Sequence, residues 1–386
     1  MKRLLHLVVD DKFVDSAVRE FEAVAPGRHE WWLLDAQPPW RWLRSERVRG
    51  TARADWLRRA AEPDVAAVVL HSLPREHLLL LPQLPPGPQV VWIGWGFDYC
   101  GLAADAFPEG LLGPQTAALL ARLLPREPAL QPGRMRASQL SLARPFPKPS
   151  HVEQQALARI DVFSPVLDNE HAMVARHQPT LRADYLRWNY GTVEEDLSLP
   201  GQPPGPVPLG PDLLVGNSAT AANNHLEAFA ALRARDDLDG RRLVVPLTYG
   251  DPDGSYLDAV QRAGRQAFGA AFVPLREHLP VAQYIALLQS CGHVLMNHVR
   301  QQALGNLVIS GMLGARLHLR RENPIRPWMQ ARGLPVGDLG RLDLAPLAPA
   351  DAQRQSATLR AEFGRTAQRA RTQALVERAL APRPAR

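Results

Sequence analysis

Two stretches of the chain alternate apolar segments of strand length with amphipathic segments of helical length, and this pattern limits the fold more than any other feature. The first stretch begins with a predicted strand at residues 4–9 and ends with a fourth predicted strand at residues 90–93. The second begins at Asp212 to Val215 and ends with a predicted strand at Arg316 to Leu319. Such alternation indicates parallel sheets with helices on their faces. Because 386 residues are too many for one ordinary core, two α/β domains are expected.

Proline and glycine are concentrated between the two stretches, at residues 199–211, which is typical of an interdomain linker. We predict an N-terminal Rossmann-like domain over residues 1–198 and a second Rossmann-like domain over residues 212–350. Residues 351–386 are rich in Ala, Arg and Gln and are predicted to form a helical tail. The two domains are expected to face each other across a ligand cleft. Periplasmic binding proteins and some epimerases also have two such domains, so the fold alone does not fix the function.

The composition favours an anionic partner and a reducing compartment. The formal net charge is +6, and a basic surface attracts nucleotide diphosphates, nucleic acid or anionic lipid headgroups. A diffuse arginine excess without a partner is the alternative. Cys100 and Cys291 have neither metal-site nor disulfide spacing. No apolar run reaches about 18 residues, so no transmembrane helix is expected, and the basic-then-apolar start is interpreted as a first β-strand rather than a signal peptide.

Residues 125–149 combine several prolines with five basic side chains and one acid. A proline-rich basic loop is the simpler interpretation of this segment. A surface that contacts anionic lipid is the alternative.

Two polar clusters flank an apolar segment, Leu307 to Leu319, that has the length of a helix followed by a buried strand. In an α/β layer this arrangement brings both clusters to the same sheet edge, where ligands bind. The clusters contain Arg300, Gln301, Gln302 and Gly305 on one side and Glu322 and Asn323 on the other. Arg300 has the planar fork that pairs with a diphosphate, and the helix after Gln302 offers free amides. Glu322 and Asn323 are candidates for binding sugar or ribose hydroxyls, or for a capped turn before the next helix.

A third cluster follows the first strand of the second stretch. Gly216, Asn217 and Ser218 end that strand, and His225 lies in the first turn of the next predicted helix. Glycine lets the backbone approach a ligand and a helix N-terminus binds anions, although the same residues also occur in ordinary strand–helix turns. His225 is predicted either to reach a diphosphate or to lie at the surface. Tyr249, at the end of another strand, is a candidate for stacking on a base or a turn residue.

In the first stretch, Trp95-Gly96-Phe97-Asp98 follows an internal strand. Asp98 is the candidate general base, because a carboxylate beside aromatic surface can take the proton of an attacking hydroxyl. The alternative is that Asp98 caps a helix. Asp10, Asp11 and His71 also end strands in this half. Hydrolase and metal-dependent chemistry are disfavoured, since no Ser-His-Asp order, zinc spacing or Asp-x-Asp motif is found.

Taken together, these blocks resemble the bacterial 4-acetamido-4,6-dideoxygalactosyltransferases, the dTDP-N-acetylfucosamine:lipid II transferases of glycosyltransferase family 56. The similarity spans about residues 90 to 330. The chain departs from the family pattern at residues 219–222 and 303–310. The motifs that carry the resemblance are Val215-Gly216-Asn217-Ser218 with Asn224-His225, Val244 to Leu247 with Tyr249, Arg300-Gln301-Gln302 with Gly305, Arg321-Glu322-Asn323-Pro324, and Trp95-Gly96-x-Asp98.

The resemblance implies a GT-B fold and an inverting transfer that needs neither metal nor cofactor. It implies a dTDP-linked deoxyamino sugar as donor and a polyprenyl-diphosphate-linked or other glycan as acceptor. The protein is then expected at the cytoplasmic face of the bacterial inner membrane, held peripherally by the anionic surface. Trp95 and Gly96 are assigned to the acceptor, and the clusters of the second domain are assigned to the donor.

Two other functions stay open. A nucleotide-sugar 2-epimerase on the same fold would need no acceptor. A non-enzymatic nucleic-acid binder would use the basic surface, but basic and aromatic residues are not interleaved on any one element, so no nucleic-acid partner is expected.

Overall fold

The structure is a computed structural model that describes residues 1–123, 148–198, 205–251 and 253–383. Almost all of the basic proline-rich segment, and residues 199–204 of the predicted linker, lie outside the described residues. The described part of the chain divides into two compact units. Unit 1 contains the described residues of 1–106, 147–196 and 363–386, and unit 2 contains those of 107–146 and 197–362.

Strands and helices are numbered here along the chain. The strands are β1 (Arg3–Val8), β2 (His29–Leu34), β3 (Val48–Thr51), β4 (Val65–His71), β5 (Gln89–Ile93), β6 (Val162–Ser164), β7 (Asp184–Tyr185), β8 (Leu213–Val215), β9 (Leu243–Pro246), β10 (Phe272–Leu275), β11 (His293–Met296), β12 (Arg316–Leu319) and β13 (Val336–Asp338). The helices are α1 (Phe13–Val24), α2 (Arg53–Ala60), α3 (Arg75–Leu78), α4 (Pro114–Leu123), α5 (His151–Leu157), α6 (Asp168–His177), α7 (His225–Arg233), α8 (Ser255–Phe268), α9 (Val281–Gln289), α10 (Leu304–Leu313), α11 (Ile325–Gln330), α12 (Pro349–Phe363) and α13 (Arg365–Leu380). None of these helices combines the length and apolar character needed to cross a membrane.

Each unit is built on one parallel sheet, as the alternating pattern predicts. In unit 1 the strand order is β3-β2-β1-β4-β5-β6-β7, and in unit 2 it is β10-β9-β8-β11-β12-β13. Every described strand pair in both sheets is parallel. All residues of β5, β8, β9 and β11 are buried, which is expected when helices cover both faces of a parallel sheet.

Both sheets reverse their winding direction at one point. The chain builds outward from β1 through β2 to β3 and then crosses back to place β4 on the other side of β1. Unit 2 repeats this order, with β9 and β10 on one side of β8 and β11 on the other. At such a switch point the loops after the two central strands diverge and leave a crevice at their carboxyl ends, where ligands bind in open α/β sheets. The switch points lie between β1 and β4 and between β8 and β11.

The predicted elements are recovered best where the strands are central. The sequence pattern predicts a helix over residues 13–24 and strands over residues 293–296 and 316–319, and α1, β11 and β12 have these bounds. Strands β3 and β13 are not predicted, because these short edge strands lack a continuous apolar run. The pattern also predicts a strand over residues 181–190, but this strand shortens to β7, and beyond it the carbonyl of Leu186 accepts a hydrogen bond from Ser164 instead of joining the sheet.

The division into units differs from the predicted domain boundaries at two places. Helix α4 lies within the predicted N-terminal domain, but Leu119 and Leu120 pack into the core of unit 2. The region predicted as a separate helical tail splits at Gly364, and its second helix, α13, packs into unit 1. Leu375 belongs to the unit 1 core, and buried apolar side chains on α13 explain why the helix docks there.

Burial lowers the pKa of eight histidines. The pKa falls to about 4 for His29, His77 and His293, to about 3 for His71, His225 and His318, and well below the ordinary value for His6 and His298. A buried imidazole stays neutral in the fold, whereas in the unfolded chain it binds a proton below pH about 6.5.

We therefore predict that the free energy of unfolding is greatest above pH about 6.5 and falls as the pH drops from there towards 4. Each such histidine contributes a slope of about 1.4 kcal/mol per pH unit in this window, because only the unfolded chain takes up the proton. Urea unfolding at pH 7.5, 6.0 and 5.0 measures the trend. His77→Gln removes one buried imidazole and is expected to reduce the slope, while His151→Gln, at an exposed position, leaves it unchanged. Equal stability at pH 7.5 and 5.0 contradicts the prediction.

Candidate functional site

Polar side chains collect at the carboxyl edge of the unit 2 sheet. They follow β8, β9, β11 and β12, which are neighbours in the sheet. Asn217 follows β8 and His298 follows β11, so these two residues flank the switch point. The two clusters that the sequence places at one sheet edge are in contact, because Asn323 Nδ2 donates to the carbonyl of Arg300. The cluster after β8 joins them through a hydrogen bond from Gln302 to Asn217.

The turn after β8 requires glycine. Gly216 has φ +71°, a conformation that residues with a Cβ atom adopt at a cost. A Cβ atom at this position would lie 2.7 Å from Asn223 Oδ1 and 3.0 Å from His225 Nε2. The backbone therefore passes close to two buried polar side chains, and any larger residue would displace them.

The side-chain amide of Asn223 connects the loop after β8 with the loop after β11. Its Oδ1 accepts hydrogen bonds from the backbone N–H of Asn217 at 2.8 Å and from Nε2 of His298 at 2.9 Å. Its Nδ2 donates to Ser218 Oγ at 3.1 Å and to the carbonyl of Thr220 at 3.0 Å. Since a backbone donor and a backbone acceptor hold the two ends, the amide has only one orientation that satisfies them.

This orientation fixes the tautomer of His298. Nε2 contacts two side-chain carbonyl oxygens, those of Asn223 and Asn217, the latter at 3.1 Å, so Nε2 carries the proton. Nδ1 is then an acceptor, and it is buried without a hydrogen-bond partner among the described residues. Burial and the positive charge of Arg300 hold the pKa of His298 well below its ordinary value, so the ring is neutral.

Asn217 extends this network to the loop after β9 and to a second residue of the loop after β11. Its Nδ2 donates to the hydroxyl of Tyr249 at 2.8 Å, and its Oδ1 accepts from Nε2 of Gln302 at 3.0 Å. Tyr249 is 52% exposed, although the hydrogen bond from Asn217 fixes its hydroxyl. A fixed, exposed aromatic ring at the edge of the site can stack on a nucleobase.

The loop that carries Arg300 is held in place by Asn323. Asn323 Nδ2 donates to the carbonyls of His298 and Arg300, both at 3.0 Å, and its Oδ1 accepts from the N–H of Ile325 at 2.9 Å. Asn323 is completely buried, so it orders the loop and caps the turn rather than facing a ligand. The Arg300 guanidinium donates to the carbonyl of Gln301 at 2.8 Å, and no ion pair among the described residues links it to a carboxylate. No carboxylate in the described part of unit 2 therefore neutralises its charge.

Two helices begin at this edge, each after a residue in a left-handed conformation. Asn224 (φ 50°) precedes α7, and Ala303 (φ 63°) precedes α10. For alanine this conformation is strained, and such strain concentrates at functional sites. The first amides of each helix have no intrahelical acceptor and lie at the positive end of the helix dipole. Gly305 in the first turn of α10 is exposed, and a Cβ there would meet only Leu197 Cδ2, at 4.0 Å.

Several predicted site residues have other roles. His225 is completely buried, so the alternative that it is a surface histidine is wrong. Its Nδ1 contacts the Tyr256 hydroxyl at 3.1 Å, and its Nε2, beside Gly216, has no hydrogen-bond partner among the described residues. Ser218 is also buried and supports Asn223. Gln301 is buried, and its Oε1 lacks a partner within the described part of the chain.

Glu322 is the predicted site residue least connected to this network. Its side chain is half exposed and pairs with Arg320 at 3.3 Å. Within the described part of the chain, no hydrogen bond joins it to Asn217, His298 or Gln302. It lies on the loop after β12, one strand away from the switch point, so it stays a candidate for binding a hydroxyl at the rim.

In unit 1, Asp98 organises the loops at the carboxyl edge. Its Oδ2 accepts from the N–H of Leu73 at 2.9 Å and from the indole of Trp92 at 3.0 Å, and its Oδ1 accepts from the N–H of Trp95 at 2.8 Å. These donors precede Asp98 in the chain, so the carboxylate does not cap the helical turn that begins at Cys100. Burial is the largest influence on this carboxyl, and its pKa is raised.

Sequence reasoning missed the two residues that join the loops, Asn223 and His298. Asn223 lies in a short 3₁₀ turn, and His298 lies two residues beyond a buried strand. A polar residue directly after a strand next to the switch point is the signal that points to His298. Nothing in the local sequence shows that Asn223 turns back toward β11.

Comparison with known proteins agrees with this geometry. Residues 207–362 match the family described as 4-alpha-L-fucosyltransferase, glycosyl transferase group 56, which confirms the resemblance predicted from the motifs. A solved trehalose-6-phosphate synthase, OtsA, superposes with a TM-score of 0.63 at 8% identity, covering 99% of this chain and 100% of that chain. A trehalose-6-phosphate synthase described in connection with glycosyl transfer with retention gives 0.57 at 8% identity, covering 99% and 100%. The sucrose-phosphate synthase of Thermosynechococcus elongatus gives 0.55 at 12% identity, covering 98% and 99%.

At these identities the solved structures establish the fold, which is the predicted GT-B type with two parallel-sheet units. The matched family covers most of unit 2, including the network around Asn217, His298 and Gln302. The protein is therefore a glycosyltransferase, and its residues 207–362 are similar to glycosyl transferase group 56.

Proposed function

We propose that this enzyme transfers an acetamido-dideoxyhexose of the N-acetylfucosamine type from a dTDP-sugar to a lipid-linked or other surface-glycan acceptor, with inversion and without a metal ion. One observation carries the donor half of this proposal. The amide and histidine network at the switch point of unit 2 holds Arg300, an exposed tyrosine ring and two helix N-termini at one sheet edge.

The donor diphosphate is assigned to the N-terminus of α10 and to Arg300. Backbone amides and a guanidinium that pairs with no carboxylate among the described residues together suit a diphosphate, because both donate hydrogen bonds and both are positive. The base is assigned to the exposed ring of Tyr249 and the ribose or donor sugar to Glu322. The pocket is shaped by Gly216, Asn217, Ser218 and His225. Gln301 and Gln302 precede the helix that receives the phosphates, and Gly305 lies in its first turn.

The chemical step is a single displacement at the anomeric carbon. The acceptor hydroxyl loses its proton to Asp98 as its oxygen bonds to the sugar, and the bond between the sugar and the phosphate breaks with its electron pair on the diphosphate. Arg300 and the helix dipole stabilise the charge that grows on the leaving group. The raised pKa of Asp98 suits a general base.

A lipid-linked acceptor places the reaction at a membrane surface. A chain of net charge +6 is attracted to anionic lipid headgroups, so we propose peripheral binding at the cytoplasmic face of the bacterial inner membrane. Trp95 and Gly96, in the loop after β5, are assigned to the acceptor.

A thermal-shift panel of dTDP, UDP, GDP and their sugars tests the donor assignment. We expect dTDP and dTDP-sugars to raise the melting temperature most, because a ligand that binds only the folded protein stabilises it. Arg300→Met is expected to weaken dTDP binding by roughly tenfold or more through loss of a charge-assisted contact. Arg262→Gln, at an exposed position on α8, is the matched control. No shift with any nucleotide contradicts the assignment, and conversion of a donor sugar without acceptor favours an epimerase.

Gly216→Ala tests the close packing behind the donor pocket. Gly240 has nearly the same φ, +74°, but a Cβ there meets nothing within 4 Å. Both alanine variants pay about 1 kcal/mol for the left-handed backbone. Only Gly216→Ala is expected to lose nucleotide affinity as well, because its methyl group displaces Asn223 and His225. Calorimetric titration with dTDP measures the difference, and equal affinities in the two variants exclude this role for Gly216.

Asp98→Asn tests the general base. The amide keeps the size of the side chain but cannot accept the proton, so we expect turnover to fall by about 10²-fold or more while dTDP affinity is retained. Melting temperatures show whether the loops around Trp92 and Trp95 survive the change. Wild-type turnover in a folded Asp98→Asn variant removes Asp98 from the mechanism, and the anomeric configuration of the product, read by NMR, tests inversion.

A further inference from the structure

A chain of three buried histidines crosses the middle of unit 1 and ends on a tyrosine hydroxyl. His29 Nδ1 lies 2.9 Å from His6 Nε2, and His6 Nδ1 lies 2.9 Å from His71 Nε2. His71 Nδ1 lies 2.8 Å from the hydroxyl of Tyr190. The three histidines lie on β2, β1 and β4, and the ring of His6 stacks on Trp31 with centroids 3.9 Å apart. The rings are therefore fixed by packing as well as by hydrogen bonds.

The hydrogen bonds of this histidine chain must all point the same way, because each neutral imidazole has only one N–H. Burial keeps all three imidazoles neutral, so each ring has one N–H and one acceptor nitrogen. If His71 accepts from Tyr190, then His6 accepts from His71 and His29 accepts from His6. If the direction is reversed, every ring changes tautomer and the Tyr190 hydroxyl proton points away from the chain. The two states differ in what Tyr190 offers to a ligand: an oxygen acceptor in the first and an O–H donor in the second.

The surroundings of His29, at the far end of the histidine chain, favour hydrogen bonds that are donated from Tyr190 towards His29. His29 Nε2 is buried and forms no well-aligned hydrogen bond among the described residues. The carbonyls of Phe21 and Ala25, at the C-terminal end of α1, act to raise the pKa of His29. Carbonyl oxygens and the negative end of a helix dipole favour an N–H over a lone pair at this position. With the proton on Nε2, Nδ1 of His29 is the acceptor, and all donors in the chain point from Tyr190 towards His29.

The tyrosine end of the chain lies at the carboxyl edge of the unit 1 sheet, next to the switch point. His71 is the last residue of β4, and the following residue, Ser72, has φ 70° and a buried hydroxyl without a hydrogen-bond partner among the described residues. Strain and an unsatisfied hydroxyl at a switch point are signs of a ligand site.

Aromatic side chains surround the Tyr190 ring at this edge. The ring centroid of Tyr190 lies 5.4 Å from that of Trp95 and 5.9 Å from that of Phe13, and Trp95 contacts Phe97 at 6.3 Å. Phe13 and Phe97 are 45% and 53% exposed. An exposed aromatic cluster beside a polar hydroxyl is suited to a sugar ring, which stacks its apolar face and hydrogen-bonds through its hydroxyls.

We propose that Tyr190 positions the acceptor alcohol, with its oxygen accepting a hydrogen bond from a sugar hydroxyl next to the reacting one because the histidine chain holds the tyrosine's own proton inward. This proposal rests on the proposed transfer reaction and adds the residue that orients its acceptor. Burial, together with the negative charges of Asp98 and Asp11, raises the pKa of Tyr190 well above its usual range. The phenol therefore stays protonated and acts by hydrogen bonding, and the proton of the reacting hydroxyl leaves to Asp98.

Replacement of the tyrosine tests the contact. Tyr190→Phe keeps the ring and removes the hydroxyl, and we expect the KM for a polyprenyl-diphosphate-linked disaccharide to rise about fivefold or more. The affinity for dTDP is expected to stay at the wild-type value. Tyr185→Phe, which removes the same atom elsewhere in unit 1, is the control. An unchanged acceptor KM in Tyr190→Phe, with wild-type transfer intact, overturns the inference and leaves the proposed function standing.

Replacement of His29 tests the direction of the hydrogen bonds in the histidine chain. His29→Asn retains an acceptor oxygen, Oδ1, at the position of Nδ1 for the His6 N–H, whereas His29→Leu removes it and leaves that N–H unsatisfied. We expect His29→Leu to raise the acceptor KM several-fold with dTDP affinity unchanged, and His29→Asn to keep most of the wild-type value. Equal acceptor KM values in two variants that melt like the wild type contradict the proposal, because a purely structural histidine would not distinguish them in this way.

The tautomers can be read without any turnover. Nitrogen-15 NMR of the histidine side chains is expected to show His6 and His71 protonated at Nε2 and unprotonated at Nδ1. Protonated Nδ1 on His71 overturns the inference whatever the activity. Failure of the proposed function has a different signature, namely no binding of dTDP and no transfer by the wild-type enzyme.

Discussion

The side-chain amide of Asn223 is the interaction on which the candidate donor site depends. It joins the backbone after β8 to His298 after β11, and these loops diverge at the point where the sheet reverses its winding. Its burial makes the connection strong, because an amide withdrawn from water is costly to leave unpaired. Asn217 and Gln302 take their positions from this connection, and Gly216 is required because no larger residue fits beside it.

The two units use the same strand order for different chemistry. At the unit 2 switch point the loops offer amides, a guanidinium and helix N-termini, which are groups that donate hydrogen bonds to an anion. At the unit 1 edge the loops offer aromatic rings, a tyrosine hydroxyl and a buried carboxylate. Donor groups suit a diphosphate, and an acceptor oxygen beside aromatic rings suits a sugar hydroxyl. This division of chemistry agrees with a reaction that joins a nucleotide-sugar to a glycan.

The sequence predicted the central strands closely because they are buried on both faces and read as continuous apolar runs. Strands β11 and β12 have the predicted bounds, whereas the edge strands β3 and β13 were missed because part of each remains in solvent. The position of the helical tail could likewise not be predicted from the local sequence. The composition of residues 351–386 indicates a helix, but only packing decides that α13 completes the core of unit 1 through Leu375 and its neighbours.

The sequence by itself determined the two parallel-sheet units and the polar residues that follow their strands, since apolar periodicity and chain order fix both. Only the tertiary structure decided where each of those residues lies and which groups it contacts. It placed His225 and Asn323 in the interior, directed the Asp98 carboxylate back to earlier loops, and aligned three histidines from different strands into one chain. Hydrogen bonds between residues distant in sequence depend on strand order and register, and no local pattern of residues records them.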